Sequence, residues 1–168
     1  MKLGFIGCGN MANAMIAGII GNGICKAEEI IGTAKSEESR VRVNKEFGIY
    51  MTEDNKEAAE KADVIVLSVK PQFYEEVICE IKDVMKDNQI VVTIAPGKTL
   101  AWLEEKFGKP VKLVRTMSNT PAMVQEGMTG VCKNTYVTES EMEHVCDILR
   151  GFGEVEIIPE RLIDAGVT

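Results

Sequence analysis

Met1-Lys2-Leu3-Gly4-Phe5-Ile6-Gly7-Cys8-Gly9-Asn10-Met11-Ala12 opens the chain, and its reading decides the fold. Residues 1–6 form a short apolar run, and Gly7 to Ala12 spell a G-x-G-x-x-A turn. Behind the turn, Met11, Met15, Ile16, Ile19 and Ile20 recur at helical spacing. Such a glycine pattern is weak alone and much stronger between a strand and a helix at the start of a βαβ unit. Gly7 allows the tight turn, and Gly9 removes the Cβ that would block a pyrophosphate. Ala12 is small enough for the helix to pack on the strand. Free N–H groups at the helix start, with the helix dipole behind them, then make an anion site. A glycine-rich turn with no ligand is the competing view. Adjacent glycines weaken a fold unless something must approach the backbone, which favours the nucleotide.

The same alternation continues downstream. Strand patterns occupy 29–33, 49–52, 63–69, 90–94 and 111–116, and helical ones 37–47, 54–61, 73–85 and 100–107. The β-branched run 63–69 suits a strand buried on both faces of a parallel sheet, and Lys70-Pro71 ends it. Residues 118–130 read as a long loop overlapping a strand over 128–133. Thr138 and Glu141 form a capping box for a helix to about Arg150, stopped by Gly151 and Gly153, and 154–158 is a last strand. The predicted fold class is α/β, a doubly wound Rossmann-type, mainly parallel sheet with helices on both faces. Right-handed crossovers bring five turns to one edge: Gly7 to Met11, Thr33 to Ser36, Ser68 to Pro71, Ala95 to Gly97, and Met117 to Pro121.

Composition narrows the function. With 168 residues the chain suits one domain, and a net charge of −7 with no basic stripe argues against nucleic acid. The five cysteines are odd in number, scattered and without a C-x-x-C, which suits reduced thiols rather than a disulfide frame or a metal site. Cys8 lies beside a helix start and could be redox-sensitive, but a small apolar role is the plainer reading. No apolar run is long enough for a bilayer span, and no signal peptide is evident, so a cytoplasmic protein without a membrane partner is expected.

The end of the second strand speaks to the nucleotide. An NAD site usually carries Asp or Glu there for the ribose 2′-hydroxyl. Here the segment is Thr33-Ala34-Lys35-Ser36, with no acid. Lys35 and Ser36 could hold a 2′-phosphate. Equally, Lys35 could be a solvated surface residue and Ser36 a helix N-cap. The missing acid favours NADPH, with NADH possible. Glu37 and Glu38 temper that preference.

Four segments together give the chain a family likeness: Phe5 to Met11 with Ala14 and Gly18, Val66 to Pro71, Ile94 to Gly97, and Arg115 to Ala122 followed by Gly127. In this order they resemble the N-terminal domain of pyrroline-5-carboxylate reductases. The resemblance implies NAD(P)H-dependent reduction of a cyclic imine, 1-pyrroline-5-carboxylate, to L-proline. It places Ile6, Gly7, Cys8, Gly9, Asn10 and Met11 at the pyrophosphate. Ala34 and Ser36, with Lys35 between them, fall at the adenosine ribose, and Asn55 near the adenine. Ser68, Val69, Lys70 and Pro71, then Ala95, Pro96 and Gly97, line the path to the nicotinamide. Asn119, Thr120 and Pro121 lie near nicotinamide and substrate. Ser118 departs from the family's usual proline.

By the same resemblance, residues 1–160 are the NAD(P)-binding domain. Residues 161–168 begin a linker to a helical domain that dimerises the full-length family enzyme and helps hold its small-molecule substrate. The expectation is that this form binds NADPH but turns over little substrate. A protonated imine is already electrophilic, so positioning and exclusion of water carry most of the rate. This fits a chain without paired carboxylates or a Ser/His/Asp set, with His144 mid-helix and no metal site. Two other readings stand beside it: another NADP-linked dehydrogenase of related fold, acting on a hydroxy acid or a deazaflavin, and a non-catalytic NADP-binding module.

Overall fold

The computed structural model describes residues 1–118 and 127–163. Strands β1 (Leu3–Ile6), β2 (Ile30–Thr33), β3 (Tyr50–Thr52), β4 (Val64–Leu67), β5 (Ile90–Thr93), β6 (Lys112–Ser118), β7 (Gly127–Lys133) and β8 (Gly153–Ile157) form one sheet. Its order is β3-β2-β1-β4-β5-β6-β7-β8, parallel from β3 to β6. The first six strands thus have the 3-2-1-4-5-6 order of a doubly wound dinucleotide fold, with its crevice between β1 and β4. β7 turns back antiparallel to β6, and β8 lies parallel to β7.

Side-chain alternation decides which helices cover which face. Leu3, Phe5, Val64 and Val66 point into one core with Met15, Ile16 and Ile19 of α1 (Asn10–Gly21) and Val145, Ile148 and Leu149. The last three belong to α6 (Glu139–Leu149), and Val43 of α2 (Glu37–Phe47) joins the same cluster. Ile6, Ile65 and Leu67 point the other way. They meet Ala58 and Ala59 of α3 (Asn55–Lys61), Tyr74 and Ile78 of α4 (Tyr74–Ile81), and Leu103 and Phe107 of α5 (Leu100–Phe107). β1 and β4 are buried throughout, which is why their sequences are unbroken apolar runs.

Four helices start on side-chain caps: Ser36 for α2, Asp54 for α3, Thr99 for α5, and Thr138 in the anticipated capping box for α6. α1 starts at Gly9 with no side-chain cap.

The elements follow the sequence pattern with shifted ends. The helix anticipated over 73–85 is a 3-10 turn, Pro71–Phe73, followed by α4, which stops at Ile81. Buried Gln89 explains the early stop. It accepts from Lys86 N at 2.5 Å and donates to Ala59 O and Ala62 O at 2.5 and 2.6 Å, drawing residues 82–89 into turns. The strand anticipated over 63–69 is shorter, because Ser68 and Val69 leave the ladder to form the rim. β6 and β7 are longer than expected and take up both ends of the loop placed at 118–130. Their antiparallel ladder is invisible to periodicity within either strand.

Candidate functional site

At the C-terminal edge of the sheet, β1, β2 and β4 end around an open cleft of about 330 Å³. Its floor is the turn after β1. Gly7 has a φ of +93°, a conformation that side chains disfavour, and an added Cβ would lie 2.5 Å from Val69 Cγ1. Gly9 is different. Its φ of −93° is open to any residue, and an added Cβ would meet nothing within 4 Å. Folding makes no demand for glycine there. A pyrophosphate laid on this turn would make that demand.

The rim is tied strand to strand by hydroxyls. Gly7 N donates to Thr33 Oγ1 at 3.0 Å, and Cys8 N to Thr33 O at 2.9 Å. Ser68 Oγ lies 2.8 Å from Gly7 O and 3.0 Å from Ile6 O, joining β4 to β1. Tyr74 Oη donates to Leu67 O at 2.5 Å and accepts from Ile94 N at 3.2 Å, joining β4 to β5. Thr116 Oγ1 donates to Thr93 O at 2.9 Å, joining β6 to β5. A rim bonded in this way is set before a ligand arrives.

Several anticipated residues line this cleft together: Gly7, Cys8, Gly9, Ala34, Lys35, Asn55, Ser68, Val69 and Lys70. Others stand around it. Ile6 is buried beneath the floor, and Asn10 and Met11 form the uncapped first turn of α1. Pro71 opens the 3-10 turn before α4, and Ala95, Pro96 and Gly97 follow β5 at the same edge. Ser36 Oγ accepts from Ser39 N at 3.1 Å, so it caps α2, as the plainer reading had it. Asn119, Thr120 and Pro121 follow β6 in sequence and lie outside the described residues.

The structure adds residues that the sequence did not single out. Phe73, Glu76, Val77 and Glu80 form the α4 wall, and Glu53 completes the opposite side beside Thr33 of the anticipated turn after β2. Lys35 Nζ sits 5.6 Å from the centre of the Phe73 ring, across the mouth of the cleft. Asn55 Nδ2 donates to Glu80 Oε1 at 3.0 Å. Arg40 Nη1 donates to Ala34 O and Lys35 O at 2.9 and 2.8 Å, fixing the turn after β2, and lies 3.9 Å from Glu53. The spacing of Phe73, Glu76 and Glu80 along one helix face was the available signal for the α4 wall.

Cys8 lines the cleft as a buried thiol. Burial pushes the Cys8 thiol up to about 12, only partly offset by its backbone hydrogen bond at Thr33, so it stays protonated at neutral pH. Cys25, Cys132 and Cys146 are buried as well, while Cys79 is exposed on α4. His144 is exposed on α6, far in sequence from any rim turn, with Nε2 beside Met1 Sδ at 2.8 Å. No helix among the described residues is long and apolar enough to cross a membrane.

Strand order, the crevice between β1 and β4, and a glycine floor open to a ligand define a Rossmann-type dinucleotide-binding domain. A family model described as NADP oxidoreductase coenzyme F420-dependent matches residues 2–97, more than half of the chain, and the chain belongs to that family. It is similar to the pyrroline-5-carboxylate reductase of Escherichia coli, with 40% identity over 162 residues, covering 96% of this chain and 60% of the relative. Among solved structures it resembles a pyrroline-5-carboxylate reductase from Coxiella burnetii (TM-score 0.91, 34% identity, 96% of this chain and 60% of that one). It also resembles Plasmodium falciparum pyrroline carboxylate reductase with NADP bound (TM-score 0.86, 31% identity, 98% and 60%). The chain thus spans about three-fifths of the length of these relatives.

Proposed function

We propose that this chain is the cofactor-binding part of a reductase that converts 1-pyrroline-5-carboxylate to L-proline with NADPH, NADH being the weaker alternative. The observation that carries the reading is the vacant space over Gly9 at the switch point of the sheet. The family likeness runs through the whole length of β1 to β8 and supports the choice of substrate. In this reading the first turn of α1 and the Gly7–Gly9 floor hold the pyrophosphate, and the Lys35 side of the cleft holds the adenosine ribose.

Bound NADPH supplies the hydride. The chain's own task is to hold the ring still and dry beside the imine. Ser68, Val69 and Lys70 after β4 and Ala95 to Gly97 after β5 form the wall on the nicotinamide side. Asn119, Thr120 and Pro121 stand next in sequence for the substrate. Residues 1–160 act as the dinucleotide unit. The working protein is then a cytoplasmic homo-oligomer.

The test is an assay of the full gene product with NADPH and pyrroline-5-carboxylate, run beside NADP⁺ with 3-hydroxy acids and with a reduced deazaflavin. Imine-dependent oxidation of NADPH is the expected result. Turnover of only a hydroxy acid or the deazaflavin would overturn the substrate and leave the fold-level reading intact. Dinucleotide binding with no turnover of any of them would favour a non-catalytic module.

A further inference from the structure

We propose that Tyr74 is a positioning residue of the dinucleotide site, its hydroxyl clamping the ends of β4 and β5 so that the nicotinamide half of the cleft keeps its shape. This rests on the dinucleotide reading above.

The ladder between β4 and β5 ends at the pair Leu67 and Thr93. Beyond it the two chains leave for different turns, Ser68 to Lys70 on one side and Ala95 to Gly97 on the other. Leu67 O and Ile94 N stand at this parting, and both need a partner once buried. Tyr74 Oη meets both, donating to the first at 2.5 Å and accepting from the second at 3.2 Å. A phenol has one proton to give and lone pairs to accept with, so one side chain satisfies both atoms.

The source of this staple sets it apart. At the other steps of the rim the hydroxyl comes from the strands or the turns themselves: Thr33, Ser68 and Thr116. At the β4–β5 step it comes from the first residue of α4. The exposed side of that same helix start carries Phe73 and Glu76, which line the cleft. Tyr74 therefore ties the start of α4 to the edge where β4 and β5 part, beneath the second mononucleotide half. Its ring is fully buried among Ile78, Leu67 and their neighbours, a place that Phe would fill as well. Burying a hydroxyl is costly without partners, and its partners here are rim atoms alone.

The experiment titrates this chain and its Tyr74→Phe variant with NADPH and with 2′,5′-ADP, which carries only the adenosine half. The expected result is a rise of about tenfold in the Kd for NADPH, with that for 2′,5′-ADP within about twofold. Equal weakening of both ligands, or of neither, would overturn the proposal. A wild-type chain that binds neither ligand would remove the dinucleotide reading itself, a separate outcome. If the variant does not fold, hydrogen exchange at the Ile94 amide of the wild type decides. Slower exchange with NADPH than with 2′,5′-ADP supports the clamp, and equal protection sinks it.

Discussion

Val69 occupies the space that a side chain on Gly7 would need: an added Cβ would fall 2.5 Å from its Cγ1 and 2.9 Å from its backbone nitrogen. The turns after β1 and β4 are therefore interlocked at the point where the fold opens toward its ligand. Two glycines apart by one residue then have different jobs, and substitution separates them. Gly7→Ala meets both a positive φ and a backbone neighbour, so it should destabilise the chain by about 2–4 kcal/mol in urea unfolding. Gly9→Ala should leave unfolding within about 0.5 kcal/mol of wild type. Its methyl group would instead stand in the cleft and weaken NADPH binding by at least about tenfold. If Gly9→Ala bound NADPH normally, the vacant space over that residue would have no ligand to explain it.

Lys35 faces the cleft mouth beside Phe73, while Arg40 is occupied with the carbonyls of Ala34 and Lys35. This leaves Lys35 as the cation on the β2 side of the cleft with freedom to meet a 2′-phosphate, Lys70 lying on the β4 side. Lys35→Ala should raise the Kd for NADPH about threefold to tenfold and leave NADH nearly unchanged, because an exposed charge on a phosphate contributes modestly. The loss should shrink as salt rises from about 0.05 to 0.5 M. Arg40→Ala acts through the turn it holds and should weaken both cofactors alike. Equal loss of NADPH and NADH in Lys35→Ala would take the phosphate contact away from this residue.

How much of this was legible in the sequence depends on the range of the interaction. The β1 turn, the apolar strands and the α6 capping box are local patterns, so Gly7, Gly9, Thr138 and Glu141 could be read directly. The four rim turns after β1, β2, β4 and β5 were legible as a group because strands in a parallel sheet end on one edge, whereas Met117 and Ser118 of the fifth belong to β6. The α4 wall was not read, because Glu76 and Glu80 sit on a surface helix, with Phe73 just before it, whose exposed face looks merely solvated until β2 is placed opposite. Tyr74 and Gln89 were hidden for a related reason. Each bonds to backbone atoms 7 to 30 residues away, and no pattern in the chain announces a partner at such a distance.

Glu57 on α3 gives the chain an acid-sensitive surface contact. Lys61 Nζ at 2.9 Å and Tyr50 Oη at 2.8 Å donate to its Oε2. These bonds, Lys61 first and then Tyr50 with Thr52, hold the carboxyl down to about 2 against an ordinary 4.5. A depressed value in the folded state means that the contact's stabilisation is complete above about 4.5 and is lost as pH falls toward about 2. Glu57→Gln removes that dependence. Thermal unfolding of both proteins between about pH 6 and pH 2 should show the wild-type advantage shrinking on acidification, and shrinking with added salt because the group is at the surface. A gap that stays constant with pH would mean that Glu57 acts through packing rather than charge.

Gln89 offers a test at the far end of the strands, away from the cleft. Its amide is buried where α3 ends and β5 begins, accepting from Lys86 N and donating to the carbonyls of Ala59 and Ala62. Gln89→Ala strands all three backbone groups, and a cost of about 2–4 kcal/mol in urea unfolding is expected. Gln89→Glu keeps the shape but turns the double donor into a carboxylate facing two carbonyls, so at neutral pH it should be at least as damaging. Protonation returns one donor, so the folded state favours the neutral acid and its carboxyl value should rise. The variant should then recover relative to Gln89→Ala as the pH is lowered through that raised value toward about 4. Because β5 delivers only its other end to the rim, NADPH affinity of the folded fraction should stay within about twofold of wild type in both variants. A Gln89→Glu protein that showed no recovery in acid would remove the two carbonyls as the reason for the amide.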